Sequence, residues 1–183
     1  MTTDTQAGRR AQTQTQTQAQ TQHTALATRL GDLTIVRDGE MLTGLYFPHH
    51  WYRPRQATFG PRTGQGFADV TRQLGEYLDG TRTGFDLPLD ARGSDFQRSV
   101  WKLIAEIPYG HTTSYGDLAR RLGAGADPRD VGAAVGRNPL SILIPCHRVV
   151  GSTGKLTGYA GGLTRKRALL DLEQAGAPVP GLW

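Results

Sequence analysis

The segment SILIPCHRVV, residues 141–150, contains the one cysteine of the 183-residue chain, Cys146. Aliphatic residues lead into it, and Pro145 predicts a rigid turn at the cysteine. A lone cysteine is most often a buried, inert core residue. Here His147 and Arg148 follow directly, and a thiol attacks only as the thiolate, which a nearby base or positive charge favours. Both a structural and a reactive cysteine remain open, and these neighbours favour the reactive one.

A reactive cysteine in this segment would need further groups. Adjacent side chains of an extended segment point apart, so His147 reaches the thiol only if the backbone turns or a water molecule intervenes. A catalytic histidine also needs a third group that orients it. The last predicted helix, 163–175, ends before Gly176 and offers two carboxylates, Asp171 and Glu173. The residues alone do not choose between them.

Two short helices are predicted upstream of this segment, at about 114–137. Ser114 begins the first, and Gly123 ends it. Asp127 caps the second, with Pro128 at its first position, where proline is favoured. Two short helices joined by a tight, glycine-containing connection are typical of a helix-turn-helix.

The second of these helices is unusual for a protein that reads the major groove. Its Gly132–Ala134 face is made of small residues, with single arginines at Arg129 and Arg137. Major-groove readers present Arg, Asn or Gln to the base edges. Small residues allow close approach to a narrow surface such as a minor groove. They equally allow two helices to pack closely, so both interpretations stay open.

The first half of the chain predicts antiparallel strands and one helix. Strands are expected around turns at 30–33 and 38–39, a helix from Phe67 to Leu78 stopped by Gly80, and a last strand over 85–89. The adjacent His49 and His50 would point apart, which favours a loop over a metal site.

These elements predict an α+β fold with two domains. Residues 1–24 alternate Gln with Thr or Ala, bury nothing, and are expected to be a disordered tail. Residues 25–93 form the small N-terminal domain of antiparallel strands and helix. Residues 94–176 form a mostly helical C-terminal domain, which starts at a capping box of Ser94 and Gln97 and contains the helix-turn-helix and a turn at 145–149. Residues 177–183 are a short C-terminal tail.

Composition excludes several classes of protein. No apolar stretch of about 18 residues exists, so no membrane span is expected. The first ten residues lack the apolar core of a secretory signal. One cysteine excludes an internal disulfide and a structural zinc site of several thiolates, so we expect a cytoplasmic protein without a metal. The net charge of +5 permits binding to a polyanion without requiring it.

A family resemblance extends across the second half of the chain. Residues 145–149, PCHRV, reproduce the active-site signature of the alkylguanine-DNA alkyltransferases, also called methylated-DNA–protein-cysteine methyltransferases. Further motifs fall at family spacing: Phe96-Gln97 with Val100-Trp101, Ile107-Pro108-Tyr109-Gly110, Ser114-Tyr115-Gly116, Val131-Gly132, Asn138-Pro139, residues 154–159 and Gly161-Gly162. The resemblance is strong over residues 94–175 and holds only in outline over 25–93.

The resemblance implies a suicidal DNA repair reaction. Cys146 would accept the alkyl group of O6-methylguanine, and of O4-methylthymine, irreversibly after base flipping. His147 would take the thiol proton through a bound water, Glu173 would orient the imidazolium, and Asn138 would hold the turn. No metal or cofactor would take part, and the protein would be a monomer on double-stranded DNA.

The same resemblance assigns roles in binding. Arg129 would enter the duplex and fill the gap left by the flipped nucleotide, and Tyr115 would push the target phosphate and hydrogen-bond the purine. Arg137 and Ser152 would contact DNA from the minor-groove side. Val149 and Tyr159 would line the substrate pocket.

The chain departs from the family pattern at several points, and two other functions compete with the repair function. The chain lacks the cysteines of the structural zinc found in some members and the fused domain of the adaptive-response regulators. It carries Cys146 where alkyltransferase-like proteins have Trp, and Asp130 puts a negative charge beside the expected DNA path. The competing functions are a non-catalytic module that recognises alkylated bases, and a cysteine hydrolase using Cys146, His147 and Glu173.

Overall fold

The N-terminal sheet consists of three antiparallel strands. The computed structural model describes residues 20–123 and 125–176. Strands β1 (Thr21–Leu26), β2 (Leu33–Asp38) and β3 (Met41–Tyr46) pair in the order β1-β2-β3. Gly31 and Gly39 lie in the two connecting turns with φ of 103° and 59°, a left-handed backbone that glycine adopts without strain. The two predicted turns and the antiparallel arrangement are confirmed.

The predicted tail is too long at its C-terminal end. Residues 1–19 lie outside the described part of the chain, but Thr21–Thr24 belong to β1 and pair with Ile35–Asp38. The polar alternation had indicated that nothing here is buried. The backbone is instead held by the β2 ladder, and His23 is buried, with its ring 6.0 Å from that of Phe59. The predicted C-terminal tail, 177–183, also lies outside the described residues.

The predicted helix of the N-terminal half is present. Helix α1 (Ala68–Leu78) turns an apolar stripe that includes Leu74 and Tyr77 into the core, and Gly80 follows it with a φ of 77°. The prediction of a strand over residues 85–89 is wrong. Only Leu89 forms a bridge, to Leu42 of β3. Pro88 has no N–H to donate to a ladder, which limits pairing at this point.

The C-terminal half is mostly helical. Its elements are α2 (Asp95–Ala105), β4 (Thr113–Ser114), α3 (Tyr115–Leu122), α4 (Pro128–Gly136), a 3₁₀ turn (Cys146–Arg148), β5 (Val149–Val150) and α5 (Leu163–Gly176). Strands β4 and β5 form a short parallel pair. The predicted capping box of Ser94 and Gln97 is present, and Asp127 caps α4. Helices α3 and α4 are the two helices expected of a helix-turn-helix.

The two halves share one hydrophobic core. Buried residues of the sheet and α1 are continuous with those of α2, α3, α4 and α5. The edge of β3 is hydrogen-bonded to the segment before the cysteine: Leu45 N–H donates to Pro139 O (2.8 Å), and Ser141 N–H donates to Leu45 O (3.2 Å). The sheet therefore positions the segment that leads into Cys146.

No helix within the described ranges, 20–123 and 125–176, is long and apolar enough to cross a membrane. Within the same ranges, no three His, Cys, Asp or Glu side chains are grouped so that they could hold a metal ion.

Candidate active site

Cys146 lies at the start of a 3₁₀ turn that its neighbours hold in place. Arg148 N–H donates to Pro145 O at 2.9 Å, so the chain turns at the cysteine. The Asn138 side chain spans the approach to this turn, donating to Ile144 O (2.8 Å) and accepting from Leu140 N–H (3.0 Å). Asn138 is itself buried, so these hydrogen bonds fix the backbone before Cys146.

The thiol is buried and neutral at rest. Cys146 is 3% exposed, and this burial raises the pKa of its thiol above the ordinary value. The Asn138 amide and the positive charge of Lys166 act in the opposite direction. Attack by this sulfur therefore requires a base that removes the proton when a substrate is in place.

His147 pairs with Glu173 rather than with Asp171. The His147 Nε2 atom lies 2.8 Å from Glu173 Oε1, and both side chains are fully buried, whereas Asp171 is exposed. Burial lowers the pKa of His147 and Glu173 acts to raise it, with burial the larger influence. A neutral imidazole that donates from Nε2 to the carboxylate leaves Nδ1 as its acceptor. Among the described residues, Nδ1 has no hydrogen-bond partner.

Glu173 is the centre of a buried charge network. Arg148 donates to it from Nε at 2.9 Å and from Nη2 at 2.8 Å. Tyr77 O–H donates at 2.5 Å, and Gly110 N–H at 3.1 Å. Burial by itself raises the pKa of this carboxyl, but the hydrogen bonds from His147 and Arg148 outweigh it and lower the pKa to about 2. Glu173 is therefore a carboxylate at all physiological pH values.

Sequence reasoning missed Lys166, which is fully buried on α5. Its ammonium donates to three carbonyls, Val149 O (2.6 Å), Thr157 O (2.8 Å) and Gly158 O (3.1 Å). Burial lowers the pKa of Lys166 to about 8. The side chain ties β5 to the 157–158 segment and brings a positive charge near the thiol.

A signal in the sequence could have found Lys166. Residues 166, 169, 170 and 173 share the spacing of one helical face, so Lys166 and Glu173 fall on the stripe of the buried Leu169 and Leu170. Tyr77 was also missed, and its sequence position shows only a core residue of α1. Its contact with Glu173 spans 96 residues of chain and has no local signature.

A small cavity of about 40 Å³ lies beside Cys146. Helix α4 forms one wall, and the lining comprises Trp51, Tyr115, Gly132, Val135, Gly136, Cys146, Gly158, Tyr159 and Ala160. Tyr115 is half-buried and donates to Thr157 O at 3.2 Å. The Tyr159 hydroxyl is buried and has no hydrogen-bond partner among the described residues. Val149 is buried in β5 and does not line this cavity.

The residues expected to contact DNA lie on the surface. Arg129 is exposed at the first turn of α4, where its N–H donates to Asp127 Oδ1 at 2.7 Å. Asp130 is exposed one residue further on. Arg137, after α4, places its guanidinium 4.4 Å from the centre of the Tyr52 ring. Ser152 is exposed in the turn after β5.

The fold buries Cys146 next to a histidine–carboxylate pair, an arrangement typical of proteins that use a cysteine as a nucleophile. Matches to family models then identify the protein family. The 6-O-methylguanine DNA methyltransferase DNA binding domain matches residues 95–175, and the ribonuclease-like domain of the same family matches residues 22–91.

Curated relatives and solved structures agree with these family matches. A Mycobacterium tuberculosis (strain H37Rv) protein named methylated-DNA–protein-cysteine methyltransferase is 48% identical over 149 residues, 81% of this chain and 90% of its own. One from Methanosarcina barkeri is 53% identical over 108 residues, 59% of this chain and 68% of its own. The crystal structure of M. tuberculosis OGT in complex with DNA superposes with a TM-score of 0.80 at 44% identity, covering 86% of this chain and 95% of that one. The chain belongs to the 6-O-methylguanine DNA methyltransferase family.

Proposed function

We propose that this protein repairs DNA by direct reversal, moving the alkyl group of O6-methylguanine to Cys146 in a single-turnover reaction. The observation that carries the proposal is the buried Cys146–His147–Glu173 arrangement, which opens onto a cavity walled by α4. Relatives at 48% identity are named for this activity, and a 44% identical neighbour is titled as a complex with DNA. O4-methylthymine is a second substrate that the family resemblance implies.

The first step is proton transfer from the thiol. His147 is neutral, and its Nε2 is committed to Glu173, so Nδ1 receives the proton through a bound water. The fixed carboxylate of Glu173 then stabilises the imidazolium that forms. Arg148 and Tyr77 hold that carboxylate in place without taking part in the transfer themselves.

The second step is displacement at the alkyl carbon. The thiolate sulfur forms a bond to that carbon as the bond between the carbon and the guanine oxygen breaks. The electron pair leaves with the base, and the Tyr115 hydroxyl at the cavity wall supplies the hydrogen bond that stabilises the developing charge. Asn138 keeps the turn in position, and Tyr159 lines the pocket.

Access to the alkyl carbon requires base flipping. An O6 substituent inside a duplex is out of reach of a buried thiol, and extruding the base costs a few kcal/mol. Arg129, exposed at the start of α4, fills the gap in the duplex. Arg137 and Ser152 contact the backbone, and the small residues of α4 approach the minor groove.

The product is a thioether, so each protein molecule acts once. Neither His147 nor Glu173 can activate a leaving group on that product, and the chain has no second cysteine. No cofactor is needed, and the protein acts as a monomer. The requirement for a reduced thiol places it in the cytoplasm.

Intact-mass measurement after incubation with an excess of O6-methylguanine duplex tests the proposal. The mass should rise by one methyl group in place of a hydrogen, located on Cys146, and reaction should stop at one equivalent. Cys146→Ala should bind the duplex without reacting. A wild-type protein that binds lesions and keeps its free thiol would instead be a recognition module, and continued turnover would indicate a hydrolase.

A further inference from the structure

The N-terminal half contributes an aromatic side chain to the mouth of the cavity. Trp51 lies in the turn after β3 and is 62% exposed, the largest value among the large hydrophobic residues that the structure describes. It nevertheless lines the cavity beside Cys146. Its ring approaches Gly158 so closely that a Cβ there would lie 3.8 Å from it. An exposed indole at the opening of a pocket is available to a ligand.

The backbone around Trp51 is anchored on both sides. His49 has a φ of 59°, in the left-handed region that non-glycine residues rarely occupy. His50 is buried with its ring edge-on to Tyr46, and its N–H donates to Phe47 O at 3.3 Å. Tyr52 is held under the guanidinium of Arg137. The turn therefore fixes the backbone position of Trp51 while leaving most of the indole surface free.

The cavity must open before a purine can enter. Its volume of about 40 Å³ has room for water molecules, whereas sites for small organic ligands are roughly 300–1,000 Å³. Helix α4 and the buried Tyr159 make up much of the remaining wall. Trp51 is the large lining side chain with the most exposed surface, so its rotation opens the cavity at the lowest cost in packing.

We propose that Trp51 is a substrate-binding residue that rotates and stacks on the extruded alkylated purine. The inference rests on the proposed function. A planar heteroaromatic base gains from stacking on an indole whatever its hydrogen-bonding pattern, and the base covers the exposed face of Trp51. The N-terminal half thus takes part in recognition as well as in supporting the active site.

Single-turnover kinetics on two substrates test this role. We compare O6-methylguanine as the free base and within a duplex, for the wild type, Trp51→Ala, Trp51→Phe and the control Phe96→Ala. Phe96 is also an exposed aromatic residue, but it lies at the first turn of α2, outside the cavity. Trp51→Ala should raise the half-saturating concentration of both substrates about tenfold and leave the limiting rate unchanged. Trp51→Phe should recover most of the loss, and Phe96→Ala should match the wild type.

A fluorescence measurement separates this inference from the proposed function. In the Cys146→Ala background, which cannot transfer, a duplex with O6-methylguanine should quench tryptophan emission more than an undamaged duplex. Adding Trp51→Phe should remove that difference. A Trp51→Ala protein that reacts as fast as the wild type or faster, or a change in the limiting rate alone, would overturn the stacking role. Absence of methyl transfer in the wild type would defeat the proposed function, and the quenching result would still decide the role of Trp51.

Discussion

The two sides of Cys146 differ in polarity and in exposure to solvent. The inner side is a set of buried charges and hydroxyls centred on Glu173, which accepts hydrogen bonds from His147, Arg148, Tyr77 and Gly110. The outer side is a small cavity whose mouth carries the exposed Trp51. Under the proposed function, the inner side would activate the nucleophile and the outer side would admit the base. Changes on the inner side should affect stability and every substrate, whereas changes at the mouth of the cavity should affect binding alone.

The largest effect is expected when the inner network is broken. Glu173→Gln leaves the buried guanidinium of Arg148 without its counter-charge, which costs about 3–5 kcal/mol in the free energy of unfolding. Methyl transfer should fall about a hundredfold because His147 loses the group that stabilises its charged form. Urea denaturation and single-turnover kinetics on duplex and free base measure the two effects.

The matched control is Glu76→Gln on α1. The Glu76 carboxylate also pairs with two arginines, at 2.9 Å to Arg72 and 2.7 Å to Arg82, but at the surface. Exposed ion pairs contribute little, so stability and transfer should stay close to those of the wild type. Equal losses in the two variants would contradict the distinction between the buried network and an ordinary ion pair.

Lowering the pH should weaken the same network without a mutation. The pKa of Glu173 falls from an ordinary 4.5 to about 2 on folding. A lowered carboxyl pKa contributes stability that is fully present above pH 4.5 and is lost as the pH falls towards 2. The difference corresponds to about 3 kcal/mol. Urea unfolding at a series of pH values should show this loss, and in Glu173→Gln the pH dependence over that range should be shallower; identical profiles would refute the assignment.

Tyr77→Phe tests the contribution of the N-terminal half to the inner side. The variant keeps the ring in the core and removes the hydroxyl that donates to Glu173 at 2.5 Å. We expect a loss of about 1–2 kcal/mol in unfolding free energy. Transfer should slow equally on duplex and free base. Tyr109→Phe is the control, because its hydroxyl makes a longer hydrogen bond of 3.4 Å to Leu172 O and does not contact Glu173.

Arg129→Ala should have the smallest effect on the folded protein and a selective effect on function. Its side chain is exposed, so the melting temperature should not change. Transfer from duplex DNA should slow about tenfold or more because base flipping loses its support, while transfer from the free base should be unchanged. Arg98→Ala on α2, another exposed arginine, serves as the control. Parallel losses on both substrates would show that Arg129 acts in some other way.

Local signals in the sequence determined much of the C-terminal half. The capping boxes and caps at Ser94, Ser114 and Asp127 lie where the helices begin, because capping is a matter of a few adjacent residues. The spacing of apolar residues likewise located α1, β2 and β3. Residues Cys146 and His147 stood out through their neighbours, and the resemblance supplied Glu173 in place of Asp171.

Tertiary structure alone decided the rest, because contacts between distant segments leave no local pattern. Hydrogen-bonding to β2 placed Thr21–Thr24 in a strand despite their polar composition, and Pro88 left 85–89 with a single bridge. Tyr77 reaches Glu173 across 96 residues, and Trp51 meets the cavity beside Cys146 across a similar span. Sequence could single out Cys146 as the candidate nucleophile, since the signal lies in a few consecutive residues. Only the packing of the two halves on one core could show which side chains hold the Glu173 carboxylate and which stand at the entrance of the cavity beside Cys146.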